Sequence, residues 1–232
     1  MKRVLITNDD GIDAPGIDAL TKLAERHFGE VWVVAPKDQA SQIGHRVTTD
    51  TPIEIEKRGE RRFAVNGSPA DCTRIGFHLL GDKPDWVWSG INHGGNLGRH
   101  DYYISGTLAA AREAAFFGVP SLGASHYMKK GLDLDWQTAA SRVEQAFQKI
   151  RNEKTSHGIF WNINLPHLEA GETEPEVVFC DPEREPLDVC FDFDEEGQKL
   201  IYRGSYHERA RGKGSDVDIC FGGNIAISRL EI

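Results

Sequence analysis

The run Val4-Leu5-Ile6, passing directly into Asn8-Asp9-Asp10-Gly11, constrains this chain more than any other stretch. Three aliphatic residues with no charge among them read as a strand buried on both faces of a parallel sheet. Pro15-Gly16-Ile17 then opens a helix whose apolar face is Ile17, Leu20, Leu23 and Ala24, at three- and four-residue spacing. Phe28-Gly29 closes it, and Val31-Trp32-Val33-Val34 supplies a second buried strand. This order makes a β-α-β unit with parallel strands and a right-handed crossover. Open sheets of that kind bind ligands at the carboxyl ends of their strands, which is where residues 8–11 fall. Two adjacent carboxylates desolvated there repel each other and ask for a cation. The same residues also suit a plain Asx turn, because Asp-Gly is a common turn dipeptide. Between Asn8 and Gly16 there is no GxGxxG and no Walker lysine, so a dinucleotide or P-loop reading loses its support.

Further along, residues 35–49 read as a polar loop, and residues 51–56 and Arg62–Val65 as strands joined by a turn at Arg58-Gly59. Ser68-Pro69-Ala70-Asp71 is a helix start, with Ser68 as N-cap and Asp71 as the capping acid, a structural role that accounts for Asp71. Ile75, Leu79 and Leu80 mark the inner face of that helix. Trp86-Val87-Trp88 is a strand ending in Ser89-Gly90-Ile91-Asn92, followed by a glycine-rich loop over residues 93–98. Ser105-Gly106-Thr107 leads into an alanine-rich helix over 108–117. A strand over 119–124, a helix over Trp136–Ile150 and a strand over Ile159–Leu165 follow, the last read as the end of the core sheet. From residue 169 the composition turns acidic and proline-containing, with VVF (177–179) and VCF (189–191) as short strands. Residues 202–215 are basic and glycine-containing and read as an exposed arm, and residues 225–230 as a final strand. The chain thus divides into an α/β catalytic core over 1–168 and a β-rich segment over 169–232, whose last strand can return to the core.

A chain of 232 residues holds one large α/β domain or a core with an appendage. Its formal net charge of −9 argues against a stable nucleic-acid complex, which needs clustered Lys and Arg. A small phosphorylated substrate remains open, since a local metal can supply the positive field. No apolar run reaches the roughly 20 residues of a membrane span. The first residues lack the pattern of a signal peptide, and the expected location is the cytoplasm. Cys72, Cys180, Cys190 and Cys220 have no metal-finger or CxxC spacing, which suits reduced thiols.

Four polar groups stand at or after strand ends: Asp9-Asp10, Ser41, Asn92 with Asn96, and Ser105-Gly106-Thr107. Carboxylate, hydroxyl and amide oxygens are hard donors suited to Mg²⁺ or Mn²⁺. Ser105-Gly106-Thr107 opens a helix whose free N–H groups suit an anion, although Ser105 or Thr107 is equally accounted for as an N-cap. A metal beside an anion-binding helix terminus is an arrangement for phosphate chemistry.

TNDDGIDAPGI, VVAPKDQAS, GSPADC, SGINHGGNLG and SGTLAAAREA occur in an order and spacing that resembles the SurE family (survival protein E) of metal-dependent nucleotidases, over roughly residues 1–125. The resemblance implies a Rossmann-like, three-layer α/β/α fold with a mostly parallel sheet and a C-terminal β-rich oligomerisation segment. It also implies a cytoplasmic phosphomonoesterase acting on nucleoside monophosphates at the 5′ or 3′ position. One divalent cation per subunit, Mg²⁺ or Mn²⁺, would be held by Asp9, Asp10, Ser41 and Asn92. Asn96, Ser105, Gly106 and Thr107 would hold the phosphate, and exchanged arms would build a homodimer or homotetramer. Departures from the family pattern are Gln42 for glycine, which would stiffen the loop, and Ile104 for tyrosine, with Tyr103 placed to take over its contact. Ala114 stands for glycine, and Ser228-Arg229-Leu230 for Thr-Pro-Leu.

The expected mechanism is attack by a metal-activated water, with Asp9 and Asn96 as catalytic residues. The rivals are a covalent aspartyl-phosphate route through Asp9 or Asp10 and a receiver-like Mg²⁺-binding switch, for which no acceptor Asp–Lys pair stands at later strand ends. His45, His93 and His100 read as solvated loop histidines rather than catalytic acids, and Tyr102 and Tyr103 as candidates to stack on a base.

Overall fold

In the computed structural model, which describes residues 2–41, 43–153, 157–169 and 171–232, the opening strand lies near the middle of the sheet. Strand β1 (Arg3–Thr7) is paired in parallel with β2 (Glu30–Pro36) on one side and β5 (Trp86–His93) on the other. Helix α1 (Pro15–Ala24) makes the crossover. It can lie tight on β5 because Gly16 has no side chain: a Cβ there would stand 2.0 Å from the Ile91 carbonyl oxygen.

The remaining elements, in chain order, are β3 (Ile55–Lys57), β4 (Arg62–Val65), α2 (Pro69–Leu80), α3 (Gly98–Ile104), α4 (Gly106–Phe116), β6 (Ser121–His126), α5 (Trp136–Ile150), β7 (Ile159–Leu165), β8 (Val177–Phe179), β9 (Phe191–Phe193), β10 (Leu200–Tyr202), α6 (Asp216–Phe221) and β11 (Ile225–Glu231). Among the described residues, nine strands form one sheet in the order β3-β4-β2-β1-β5-β6-β7-β11-β8. The run from β4 to β7 is parallel, β3 and β11 run antiparallel to their neighbours β4 and β7, and β8 is parallel to β11. Helices α1 and α5 cover one face, where Ile17, Leu20, Val143 and Phe147 pack with Val4, Ile6, Trp88 and Ile163. Leu5, Val34 and Val87 on the other face pack with Cys72 of α2 and Ala114 of α4. Each fully buried Leu, Ile or Val contributes roughly 1.5–3 kcal/mol, which makes a three-layer sandwich the stable outcome.

The box at Ser68 forms as read: Asp71 N donates to Ser68 Oγ at 3.0 Å, and Ser68 N to Asp71 Oδ2 at 2.9 Å. Asp71 also accepts from Thr48 N and Oγ1, pinning the long loop after β2 to the start of α2. The deepest face of α2 is Cys72, Thr73 and Gly76, while Ile75, Leu79 and Leu80 are only partly buried. A Cβ on Gly76 would meet Leu5 Cδ2 at 2.4 Å, so the helix sits closer to the sheet than an apolar stripe alone suggests.

Several expectations for the second half are corrected. β7 is not the end of the core sheet, because β11 pairs with it along six residues and β8 follows. All seven residues of β7 are buried, and a strand enclosed to that extent needs partners on both edges. VVF therefore belongs to the core sheet rather than to an appendage. The strand expected at VCF begins two residues later, at Phe191, and pairs with β10 in a separate two-stranded hairpin. Residues 202–215 are exposed over more than half their length but are pinned to the core, where the Arg209 side chain, 1% exposed, is paired with buried Asp101 at 2.8 Å. The strand expected over 51–56 shrinks to Ile55–Lys57, an exposed edge with no buried face to hold it. Helix α3, over a stretch for which the sequence carries no clear signal, is short and glycine-started, and Asp101 ties it to the rest of the fold.

Candidate active site

Asn8 makes the Asx turn that follows β1. Its Nδ2 donates to Gly11 O at 2.8 Å and its Oδ1 accepts from Gly11 N at 3.2 Å. Gly11 has φ of 104°, which suits glycine. The turn is thus closed without the aspartates, and both carboxylates remain available. Asp9 is buried against the start of α4, where Thr107 Oγ1 donates to its Oδ1. Gly106 makes that approach feasible, since a Cβ would lie 2.8 Å from Asp9 Cβ and 2.9 Å from Oδ2. Burial pushes Asp9 up to about 7, against the opposing Thr107 hydrogen bond, and the neighbouring Asp10 charge pushes the same way. Asp10 is also raised by burial, and it accepts from His93 N at 3.0 Å.

Asn92 is aimed by an irregularity in β5. The β5–β6 register shifts between Ser89 and Asn92, as a bulge does when it re-aims a side chain. Asn92 Nδ2 donates to Gly94 O at 2.8 Å, which turns Oδ1 the other way, free to act as a ligand. Ser41 lies on the loop after β2, where Ala40 N donates to Asp9 O at 2.7 Å and Gln39 Nε2 to Ser41 Oγ at 2.9 Å. His45 fastens the same loop to α4: Arg112 Nε donates to His45 Nδ1 at 2.8 Å, so Nε2 carries the proton that reaches Glu113 Oε2 at 2.7 Å. Asn96 is held through its backbone, N to Asn164 Oδ1 at 2.8 Å and O from Asn162 Nδ2 at 2.8 Å and Asn164 Nδ2 at 3.0 Å. Its side chain is set by Ser125 Oγ at 2.7 Å.

These elements enclose a cavity of about 260 Å³ whose wall includes Asp9, Ser41, Asn92, Asn96 and Ser105. Asp10 does not line this cavity, but its carboxylate accepts from the N–H of His93, which does. Two carboxylates with neutral amide and hydroxyl oxygens form a donor set suited to a hard divalent ion that keeps water ligands. Among the described residues, no three His, Cys, Asp or Glu side chains gather into a metal site. Ser105 caps α4, its Oγ accepting from Leu108 N at 3.1 Å, and Gly106 and Thr107 are packed behind Asp9. The Thr107 hydroxyl donates its hydrogen to Asp9. His45 is likewise not a solvated loop histidine, whereas His93 and His100 are exposed. Tyr102 is buried, stacks on Phe160 and donates to Glu231 O at 3.1 Å, which removes it as a base platform. Tyr103 is exposed beside it, and Ile104 reaches the cavity wall. The reading of Gln42 lies outside the described residues.

The sequence profile described as Survival protein SurE matches residues 4–185. The chain belongs to the SurE family. A relative from Synechocystis sp. is 49% identical over 228 residues, covering 98% of this chain and 99% of its own. The 5'-nucleotidase SurE of Paramagnetospirillum magneticum is 34% identical, covering 98% of this chain and 89% of its own. The crystal structure of the SurE protein from Aquifex aeolicus superposes with a TM-score of 0.84 at 30% identity, over 99% of this chain and 93% of that one. The α/β sheet with its C-terminal strands is accordingly the SurE fold.

In this SurE chain the cavity is completed by residues that the sequence did not single out. Asp101, on the wall, accepts from Leu97 N at 3.0 Å, Tyr206 OH at 2.9 Å and Arg209 Nη1 at 2.8 Å. Burial beside the Asp101 carboxylate pushes the Tyr206 hydroxyl well above its ordinary value, so it stays a donor. Asp216 takes Gly98 N and Glu183 N at 2.8 Å each, drawing the C-terminal segment over the loop. Leu187, Ile104 and Tyr206 give the cavity an apolar side. The only sequence signal for this closure is the opposite charge of Asp101 and the basic stretch 203–213, and charge alone does not say which residues pair.

Proposed function

We propose that this protein hydrolyses nucleoside monophosphates to nucleoside and phosphate in the cytoplasm, by water attack assisted by a divalent cation. Membership of a family whose named members are 5'-nucleotidases makes it a hydrolase of phosphoric monoesters. The observation that carries the finer reading is the desolvated Asp9 carboxylate, pressed on one side by a helix start and on the other by Asp10. Such a group is costly unless it faces positive charge. Asp9, Asp10, Ser41 and Asn92 would hold Mg²⁺ or Mn²⁺, which when bound would neutralise phosphoryl charge and lower the pKa of a bound water.

The chain's own residues supply the rest. Thr107 and Gly106 fix Asp9 at the cavity wall, where its outer oxygen can orient the attacking water. Asn96, immobilised by Asn162, Asn164 and Ser125, and Ser105 at the start of α4 provide polar groups beside the phosphoryl group. Leu187, Ile104 and Tyr206 offer the nucleoside an apolar surface and keep bulk water from that side. Homo-oligomers, dimers or tetramers, would form through the β9–β10 hairpin, which exposes Phe191, Phe193, Leu200 and Tyr202.

The test is phosphate release from a panel of nucleoside monophosphates and other small phosphomonoesters, with Mg²⁺, with Mn²⁺ and after exhaustive chelation. Metal-dependent turnover with nucleotides as the preferred class is expected. Full activity in excess chelator would overturn the metal assignment, and preference for a non-nucleotide ester would overturn the substrate class.

A further inference from the structure

A second cavity, of about 330 Å³, lies between α5 and the ends of β6 and β7 and shares no lining residue with the active-site cavity. Three buried side chains form its interior: His126 at the end of β6, His167 just past β7, and Arg142 of α5. His126 Nδ1 stands 2.8 Å from the Tyr127 carbonyl oxygen, which can only accept, so Nδ1 carries the proton and Nε2 the lone pair. Burial lowers His126 to about 4, which keeps the ring neutral around pH 7. His167 has the other tautomer, Nδ1 accepting from Lys129 N at 3.0 Å and Nε2 facing Asp133 O at 3.2 Å.

Arg142 is 8% exposed; its Nη1 donates to Pro166 O at 3.1 Å and, among the described residues, its Nε has no partner. Around the mouth stand the exposed carboxylates of Asp133, Asp135, Glu169, Glu172 and Glu174. Glu174, Asp135 and Glu172 line the same cavity and favour the Arg142 charge from a distance. A phosphate dianion would meet five like charges at the entrance. The volume is at the small end of ligand cavities, which run from about 300 to 1,000 Å³. The occupant that fits is small and uncharged, with an N–H for His126 Nε2, an acceptor for the guanidinium and hydroxyls for the rim carboxylates.

We propose that this cavity binds a nucleoside and rejects its monophosphate. A nucleobase edge carries donor and acceptor side by side, a ribose carries the hydroxyls, and dephosphorylation removes the charge that the rim repels. The inference rests on the nucleotidase reading, for which the nucleoside is the product. The two cavities also share a strut: Gly94, on the active-site wall, donates through its N–H to His126 O at 3.0 Å.

The experiment is titration calorimetry of the full chain carrying Asp9→Asn, in chelator, with adenosine, guanosine, cytidine and uridine and with their 5′-monophosphates. At least one nucleoside should bind with a tenfold or greater preference over its monophosphate. Arg142→Lys, which keeps the charge but loses the planar guanidinium, should weaken that binding at least tenfold, with circular dichroism unchanged. Glu174→Lys, on the surface, should narrow the preference by admitting the monophosphate. Absence of nucleoside binding at millimolar concentration, or binding that neither substitution alters, overturns the proposal. Monophosphate turnover by the wild-type chain is measured alongside. Turnover without nucleoside binding defeats the second site alone, whereas selective nucleoside binding without turnover upholds the site and defeats the nucleotidase reading.

Discussion

Replacing Asp9 with Asn should make the metal-free protein more stable at neutral and alkaline pH, and should also remove activity. In the folded chain Asp9 is raised from 3.8 to about 7 by burial and by Asp10. A carboxyl raised on folding leaves stability intact below its unfolded pKa and withdraws it as pH climbs through the folded value. The loss therefore develops between about pH 4 and pH 7. At roughly 1.4 kcal/mol for each tenfold change in proton affinity, it amounts to about 4 kcal/mol once Asp9 is fully ionised. Asn keeps the oxygen that accepts from Thr107 and carries no charge, so it escapes this cost. Urea unfolding in chelator should show equal stability for the two proteins near pH 4 and an advantage for Asp9→Asn of a few kcal/mol at pH 8. In a domain of this size that is a rise in Tm of about 10 °C. Added Mg²⁺ should restore the wild type and leave the variant unchanged. Parallel pH profiles for the two proteins would refute the claim that Asp9 is a strained, cation-seeking carboxylate.

Gly106→Ala places a methyl group 2.8 Å from Asp9 Cβ and should cut turnover at least a hundredfold while circular dichroism stays the same, since a misplacement near 1 Å has about that effect. His45→Phe loses the contacts to Arg112 and Glu113, and should raise the metal concentration needed for half-maximal activity several-fold by loosening the loop that carries Ser41; an unchanged metal dependence would mean the loop is held elsewhere. Arg209→Met leaves Asp101 buried without its cation and should cost about 3–5 kcal/mol in urea unfolding, with much of it recovered in the double variant with Asp101→Leu. Deleting the β9–β10 hairpin over residues 190–203 should yield smaller particles by sedimentation; a wild-type chain already monomeric at micromolar concentration would end the hairpin interpretation.

The opening β-α-β unit, the capped start of α2, the full extent of α5 and the strand β7 were legible in the chain itself, because each is governed by local rules. Apolar runs, 3.6-residue periodicity and a Ser-Pro-Ala-Asp start act over a few residues and need no distant partner. The cluster Asp9, Ser41, Asn92, Asn96 and Ser105 was also readable, because parallel strands deliver their carboxyl ends to one rim whatever the sequence between them. What each residue does there was decided by packing. Thr107, expected to hold the phosphate, gives its hydroxyl hydrogen to Asp9, and Asn8 rather than the aspartates closes the turn. In the C-terminal third, β8 and β11 were legible as strands, and so was the return of the last one to the core; the place of β8 in the sheet and the anchoring of Arg209 were not. Strands β8 and β11 and the stretch around Arg209 have short, mixed patterns whose meaning depends on what they meet. β11 finds the open edge of β7, and Arg209 finds Asp101, 108 residues away in the chain. Periodicity reports that a residue will be buried, but only the folded molecule supplies the partner that makes burying a charge tolerable.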